Sequence, residues 1–185
     1  MKKLSLYLFL VLLSYGNAIA DSKDRNVKLN QLFGQLKKSS EVSVALEIEM
    51  KIWNIWSTHP TEEELTQSLA KGSDLMSRGE LQSAYEIFST IINSTPDWAE
   101  GWNKRATVLY LMGRYQDSLN DIDEVLKREN RHFGALSGQG LVQIKLKNYE
   151  KAIKSYQVVQ KIYPTIRAAK IMIPQLLELI KDESI

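Results

Sequence analysis

Apolar positions fall at helical spacing along most of this chain. Leu29, Leu32, Phe33 and Leu36 stand at i, i+3, i+4 and i+7, one face of a helix. After Ser39-Ser40 a second helix is predicted over 41–57, carrying Val42, Ala45, Leu46, Ile48, Ile52, Trp53, Ile55 and Trp56. That apolar arc is wider than half the helix surface, so the helix must bury more than one face. Further helices are expected at 61–77, 81–94, 98–112, 115–128, 132–146 and 149–162, and a last one at 166–180, which Pro174 should kink or divide. Thr61-Glu62-Glu63-Glu64 and Asp97-Trp98-Ala99-Glu100 have the form of capping boxes, and Asn130, Asn148 and Thr165 are the other expected caps. Gly79 and Gly113 fall where paired helices turn, with Lys147-Asn148 in the corresponding place further on.

The middle of the chain repeats itself with a fixed period of about 34 residues. Gly72, Ala106 and Gly140 supply a small residue in each copy, and Ala84, Ser118 and Ala152 a second one. Phe88, Ile122 and Tyr156 supply a bulky residue four positions later, and Pro96, Asn130 and Pro164 close each copy. Such a period marks stacked helix–turn–helix units, which bury a continuous core only by stacking and which build binding surfaces. The small residues allow the first helix of each pair to approach the second; glycine there costs about 1 kcal/mol against alanine, and close packing is the return.

The spacing A-x3-F-x7-P at Ala84, Phe88 and Pro96 resembles the tetratricopeptide repeat, as do Trp102, Ala106 and Leu109 in the next copy and Leu136, Gly140, Ala152, Tyr156 and Pro164 in the last. The resemblance spans residues 65–98, 99–132 and 133–166 in unbroken register. Lys71 and Arg105 replace an expected apolar residue, Ser118 an alanine and Asn130 a proline, while Ile91, Val125 and Val159 stand where the family often has something smaller. The resemblance implies an all-α, right-handed α-solenoid of helix pairs, with an extra helical pair at 24–59 and a capping helix at 167–185. The pair at 24–59 is expected to stack on the first repeat, with Trp53 and Trp56 either packed there or forming a docking or dimer surface. Trp102 is expected in the core and Trp98 between repeats.

In this family the first helix of each pair lines a concave groove. Carried over, the partner-binding positions are Leu69, Ser73 and Met76, then Glu100, Asn103, Thr107 and Tyr110, then Ser137, Leu141 and Ile144. They suit an extended peptide or a partner helix. The five positions of a carboxylate clamp hold Leu69, Ser73, Lys104, Gly134 and Gly138, so that clamp is missing.

Charge and composition narrow the classes. Lys2-Lys3, the apolar stretch Leu4 to Leu13 and Ala18-Ile19-Ala20 read as a secretory signal peptide at 1–20, cleaved after Ala20, with the bacterial periplasm as destination. The apolar run is about half the roughly 20 residues needed to span a bilayer. The full chain has 24 basic and 22 acidic residues; removing the leader takes away two lysines and leaves 22 of each. No electrostatic case for nucleic acid survives that, and no membrane insertion is expected after cleavage. The absence of cysteine excludes disulfides, thiol chemistry and an acylated cysteine.

No catalytic constellation emerges. His59 and His132 lie on different elements without ligands at metal spacing, so neither metal nor cofactor is expected, and His132 reads as structural. Asp121 and Asp123 cannot share a helix face and read as solvated surface. Asn93-Ser94-Thr95 is a glycosylation sequon, relevant only in a host that glycosylates exported proteins. The expectation is therefore a non-enzymatic, exported interaction module that holds a peptide or protein partner in its groove, an adaptor in envelope assembly. The alternative is a homo-oligomeric scaffold joined through the 41–57 helix or the C-terminal helix.

Overall fold

A computed structural model describes residues 23–183. The expected signal peptide and its cleavage site lie outside the described residues. The described chain contains no strand. After α1 (23–38) come α2 (Val42–Ser57), α3 (Glu63–Ser77), α4 (Leu81–Ser94), α5 (Ala99–Leu111), α6 (Tyr115–Arg128), α7 (Phe133–Lys145), α8 (Tyr149–Ile162) and α9 (Arg167–Glu183). From α3 onward each helix packs on the next, and α5 also touches α3 and α7, giving the right-handed α-solenoid that the resemblance implies. α9 runs on through Pro174. Among the described residues no helix is long and apolar enough to cross a membrane.

Small-to-large pairs set the helix spacing. A Cβ on Gly72 would lie 2.6 Å from the Phe88 ring, and one on Gly140 would lie 2.7 Å from the Tyr156 ring. Within pairs, the turns close through left-handed residues: Gly79 (φ 79°), Gly113 (φ 76°) and Lys147 (φ 59°). The bonds Glu80 N–H to Leu75 O, Arg114 N–H to Leu109 O and Asn148 N–H to Gln143 O complete them. The left-handed residue of the third turn is Lys147 and not Asn148, at a strain of about 1 kcal/mol for a side chain with a Cβ. Between pairs, Trp98, His132 and Ile166 each donate a backbone N–H to the carbonyl three residues back, at 3.1 Å. The turn with Asn130 in place of proline thus keeps the same geometry.

The expected capping boxes do not form. Neither α3 nor α5 has a side-chain cap. Instead His59 Nδ1 accepts from the backbone N–H groups of Thr61 and Glu62 at the approach to α3, and the Thr66 hydroxyl accepts from His59 N–H. α7 is capped by His132, whose Nδ1 accepts from Ala135 N–H, and not by Asn130. Asn148 holds the N-cap position of α8 but donates its amide to Gln143.

The N-terminal pair corrects a larger expectation. α1 and α2 do not stack on the α3–α4 pair. They lie along one edge of the solenoid, across the turns that join successive pairs. Their apolar faces share a core with Phe133, Leu136, Val159 and Tyr163. Trp98 Nε1 donates to Trp56 O at 2.8 Å, Arg131 donates to Asn30, and Tyr163 donates to Glu49 at 2.9 Å. α2 thereby spans three successive turns, at 98, 132 and 163. Among the described residues no helix stacks on the outer face of α3. Where α5 presents Gly101 and Trp102, and α7 Ala135 and Leu136, α3 presents Gln67 and Ser68, a polar face suited to the end of an array.

Candidate functional site

The first helices of the second and third pairs bring half of the expected groove residues together. Asn103, Thr107 and Tyr110 from α5 face Ser137 and Leu141 from α7 across a cavity of about 210 Å³. Gly134 and Gly138 line its α7 wall, and Ile122 and Ser118 contribute from α6. A Cβ on Gly138 would meet nothing closer than Ile122 Cδ1 at 3.8 Å, so this glycine leaves real room. Leu141 is 42% exposed. No charged side chain lines this cavity.

The hydrogen bonds of the lining polar groups point inward. Thr107 Oγ1 donates to Asn103 O at 3.0 Å, Ser137 Oγ to Phe133 O at 2.7 Å, and Ser118 Oγ to Ala106 O at 2.8 Å. Asn103 Nδ2 donates to Glu100 Oε1 at 3.0 Å. Each of these side chains has committed a donor to the protein and keeps an acceptor oxygen.

The other expected groove residues are placed elsewhere. Leu69 is 2% exposed and packs with Phe88, Ile91 and Trp98, because the position that holds Asn103 and Ser137 in later pairs is aliphatic here. Met76 packs against the same cluster, and Ser73 donates its hydroxyl to Leu69 O. Ile144 packs toward the core shared by α8 and α9. Glu100 is 1% exposed and faces the interior.

Glu100 is the centre of a buried polar junction that sequence reasoning missed. Its carboxylate receives Asn103 Nδ2, Lys104 Nζ at 3.6 Å and His132 Nε2 at 3.2 Å. Since His132 Nδ1 accepts from Ala135 N–H, the ring proton sits on Nε2 and is donated to Glu100. The imidazole lies flat against Trp56, ring centres 3.9 Å apart and planes 10° from parallel. Trp53 stands beside this stack, edge-on to Trp56, His132 and Phe133. Both tryptophans thus pack internally. Both ring nitrogens of His132 are occupied and the ring is fully buried, so it has no free nitrogen for proton transfer to a bound substrate. Among the described residues no group of three or more His, Asp or Glu could hold a metal ion. Glu100 and His132 belong to different helix pairs, and that distance along the chain hides their contact; the visible signal is the recurrence of Trp98 and His132 one repeat apart.

Two further expectations are corrected, for Asp121 and Trp102. Asp121 is buried and takes a two-point bond from Arg105, 2.7 and 2.8 Å, so it is not solvated surface. The same offset joins Gln139 to Ser155 at 2.8 Å. Hydrogen bonding to Asp121 raises the Arg105 pKa, against burial. Trp102 is only half buried: Arg105 and Arg128 lie over its ring and its N–H donates to Pro96 O. Burial pushes the Tyr156 phenol up to about 12, and burial with a bond to Glu49 raises that of Tyr163.

The tetratricopeptide repeat family model matches residues 135–165. A TPR repeat-containing protein of Rhizobium etli is 35% identical over 172 residues, covering 91% of this chain and 80% of that protein. The chain belongs to the tetratricopeptide repeat proteins. Among solved structures, the Sgt2 TPR domain from Aspergillus fumigatus aligns with a TM-score of 0.63 at 17% identity, over 66% of this chain and 83% of that one. The first TPR of Spaghetti (RPAP3), bound to HSP90 peptide SRMEEVD, aligns at 0.61 and 16% identity, over 63% and 93%. At these identities the likeness is one of fold. Against the clamp positions of the tetratricopeptide family, Gly134 stands out structurally. A Cβ there would fall 2.5 Å from the Trp53 ring, so the N-terminal hairpin fills space that a longer side chain would need.

Proposed function

We propose that this protein is a non-enzymatic interaction module that holds an extended peptide segment of a partner protein between α5 and α7. The observation that carries the reading is the cavity that brings Asn103, Thr107, Tyr110, Ser137 and Leu141 together with no charged group in its lining. Its shape suits one apolar side chain of a bound segment, with polar groups around it to fix the backbone. That a fold neighbour was solved with a bound peptide supports peptide binding as a use of this fold. In this reading the repeats are 65–98, 99–132 and 133–166, the leader 1–20 directs the chain to the periplasm, and the module serves as an adaptor in envelope assembly.

The test is photo-crosslinking in the native host from a reactive analogue placed at Tyr110, with and without Gly138→Leu to fill the cavity. One dominant adduct, lost with the filled cavity, is expected. Adducts that persist undiminished would refute binding at this site.

A second reading, a homo-oligomeric scaffold, draws on Val42, Leu46 and Met50. They recur at every fourth position on α2 and are 55, 49 and 64% exposed. Sedimentation of residues 21–185 separates the two readings: a monomer at tens of micromolar sinks the scaffold.

A further inference from the structure

The cavity between α5 and α7 has a hydrogen-bonding polarity, and from it we infer the chemistry of its occupant: an uncharged segment that places an apolar side chain in the cavity and donates hydrogen bonds from a side-chain amide beside it. The inference rests on the groove reading above and goes beyond it by excluding acidic ligands and ligands that only accept.

A hydroxyl has one hydrogen and two lone pairs, and a primary amide has donors on nitrogen only and acceptors on oxygen only. Thr107 and Ser137 have each turned their single hydrogen back to the carbonyl one turn earlier in their own helix. What they offer the cavity is lone pairs. Ser118 does the same with Ala106 O from the neighbouring helix. Asn103 is held by a carboxylate. Its amide nitrogen donates to Glu100 Oε1 at 3.0 Å, so the amide oxygen is the atom turned away. Tyr110 can donate or accept. The backbone adds little on this side, because N–H groups inside helices are bonded within them.

A carboxylate entering here would face acceptor oxygens at close range, with no lining cation to offset its desolvation. A ligand amide N–H would meet two or three acceptors instead. The walls supply the rest of the specificity: Ile122, Leu141, Val142 and Ala135 make the space apolar, and Gly138 keeps it open.

The test compares three capped pentapeptides, acetyl-Ala-Leu-X-Leu-Ala-amide, in which X is glutamine, glutamate γ-methyl ester or glutamate. Glutamine and the ester are neutral and close in size, but the ester has lost the donor. Binding is read from amide shifts of Thr107, Ser137 and Leu141 in labelled protein. The glutamine peptide should bind about tenfold more tightly than the ester, the difference expected for one or two neutral hydrogen bonds. The glutamate peptide should be weakest. In Thr107→Val with Ser137→Ala, which removes two acceptors, the ratio of glutamine to ester should fall to about twofold or less. Groove binding in which the ester or the glutamate peptide equals glutamine overturns this inference and leaves the groove reading standing. Shifts that avoid the groove with all three peptides overturn both. The wild-type comparison decides the matter even if the double variant fails to fold.

Discussion

The small-to-large pairing inside each repeat makes a quantitative prediction. Gly72, Ala106 and Gly140 occupy one repeat position, and Phe88, Ile122 and Tyr156 occupy the one that faces it from the second helix of the pair. The smallest residue accompanies the rings, and alanine accompanies the aliphatic. Consider Gly140→Ala. The new methyl would lie 2.7 Å from two ring carbons of Tyr156, where carbons prefer roughly 3.5–4.0 Å. Tyr156 is 1% exposed, so its ring cannot retreat. Overpacking of this kind costs about 1–3 kcal/mol, and the alanine returns about 1 kcal/mol of helix propensity, leaving a net loss of about 1 kcal/mol. Tyr156→Ile alone leaves a cavity beside Gly140 and should cost about 2–3 kcal/mol. The combined variant recreates the Ala106–Ile122 pair, the methyl filling part of the space the ring vacates. Its loss should fall short of the sum of the single losses by about 1.5 kcal/mol, the range of coupling seen for residues in contact. Urea unfolding followed by far-ultraviolet circular dichroism on all four proteins measures this. Gly138→Ala on the same helix, with Ile122 Cδ1 at 3.8 Å, is the control and should gain up to about 1 kcal/mol. Additivity within about 0.5 kcal/mol, or stabilisation by Gly140→Ala, would refute the reasoning.

Three other predictions test separate parts of the structure. Asp121→Ala strands Arg105 in a half-buried setting and should cost about 2 kcal/mol, less than a fully buried pair because solvent reaches the guanidinium; leucine at both positions should recover most of it. Trp56→Ala removes an indole packed against Phe33, His132 and Phe133, and should cost about 3–5 kcal/mol by thermal or urea unfolding, whereas a neutral result would mean that the hairpin does not brace the turns. Burial is the main cause of a lowered His59 pKa, opposed by Glu62 and aided by Arg25. The unfolded state therefore takes up this proton first, so stability holds above about pH 6.5 and declines as pH falls from there toward the folded-state value. His59→Asn should flatten that part of a stability–pH curve.

The fold is legible in the sequence because its determinants recur. Gly72 and Gly140 announce close helix pairs, and Gly79 and Gly113 announce the turns, in the same register as the bulky residues they serve. The edge-on placement of α1 and α2 is not legible in that way, although the chain carries both halves of the reason: Gln67 and Ser68 make the end of the array polar, while Trp98, Phe133 and Tyr163 make its turns aromatic. A helical wheel shows that α2 is apolar on several sides; it does not say which part of a solenoid will cover it. Charged residues are hardest. Glu100 shares a helix face with Asn103 and so reads as a groove residue, and Asp121 reads as solvated. Each is buried by a partner on another helix, and periodicity reports a residue's face without reporting its partner. Leu69 misleads for a related reason: its position is polar in the later pairs, and only its own chemistry signals that the first pair draws it inward.

The buried junction and the groove meet in one side chain, and this gives a final test. α2 places Trp56 flat on His132; the N-cap bond of α7 fixes the His132 tautomer; the remaining ring N–H goes to Glu100; and the carboxylate fixes the Asn103 amide. Glu100→Gln preserves the shape of this chain of contacts but replaces one acceptor oxygen with a donor nitrogen. His132 Nε2–H needs an acceptor and should take the new amide oxygen. The new amide nitrogen then faces Asn103, which can accept from it only by turning its oxygen inward and its nitrogen toward the cavity. The groove exchanges an acceptor for a donor with no change in volume. In this variant the peptide carrying the glutamate methyl ester should gain on the one carrying glutamine, by about threefold to tenfold relative to the natural protein. An unchanged ratio in a folded variant, with Asn103 side-chain amide resonances unshifted, would show that the buried junction does not orient the Asn103 amide.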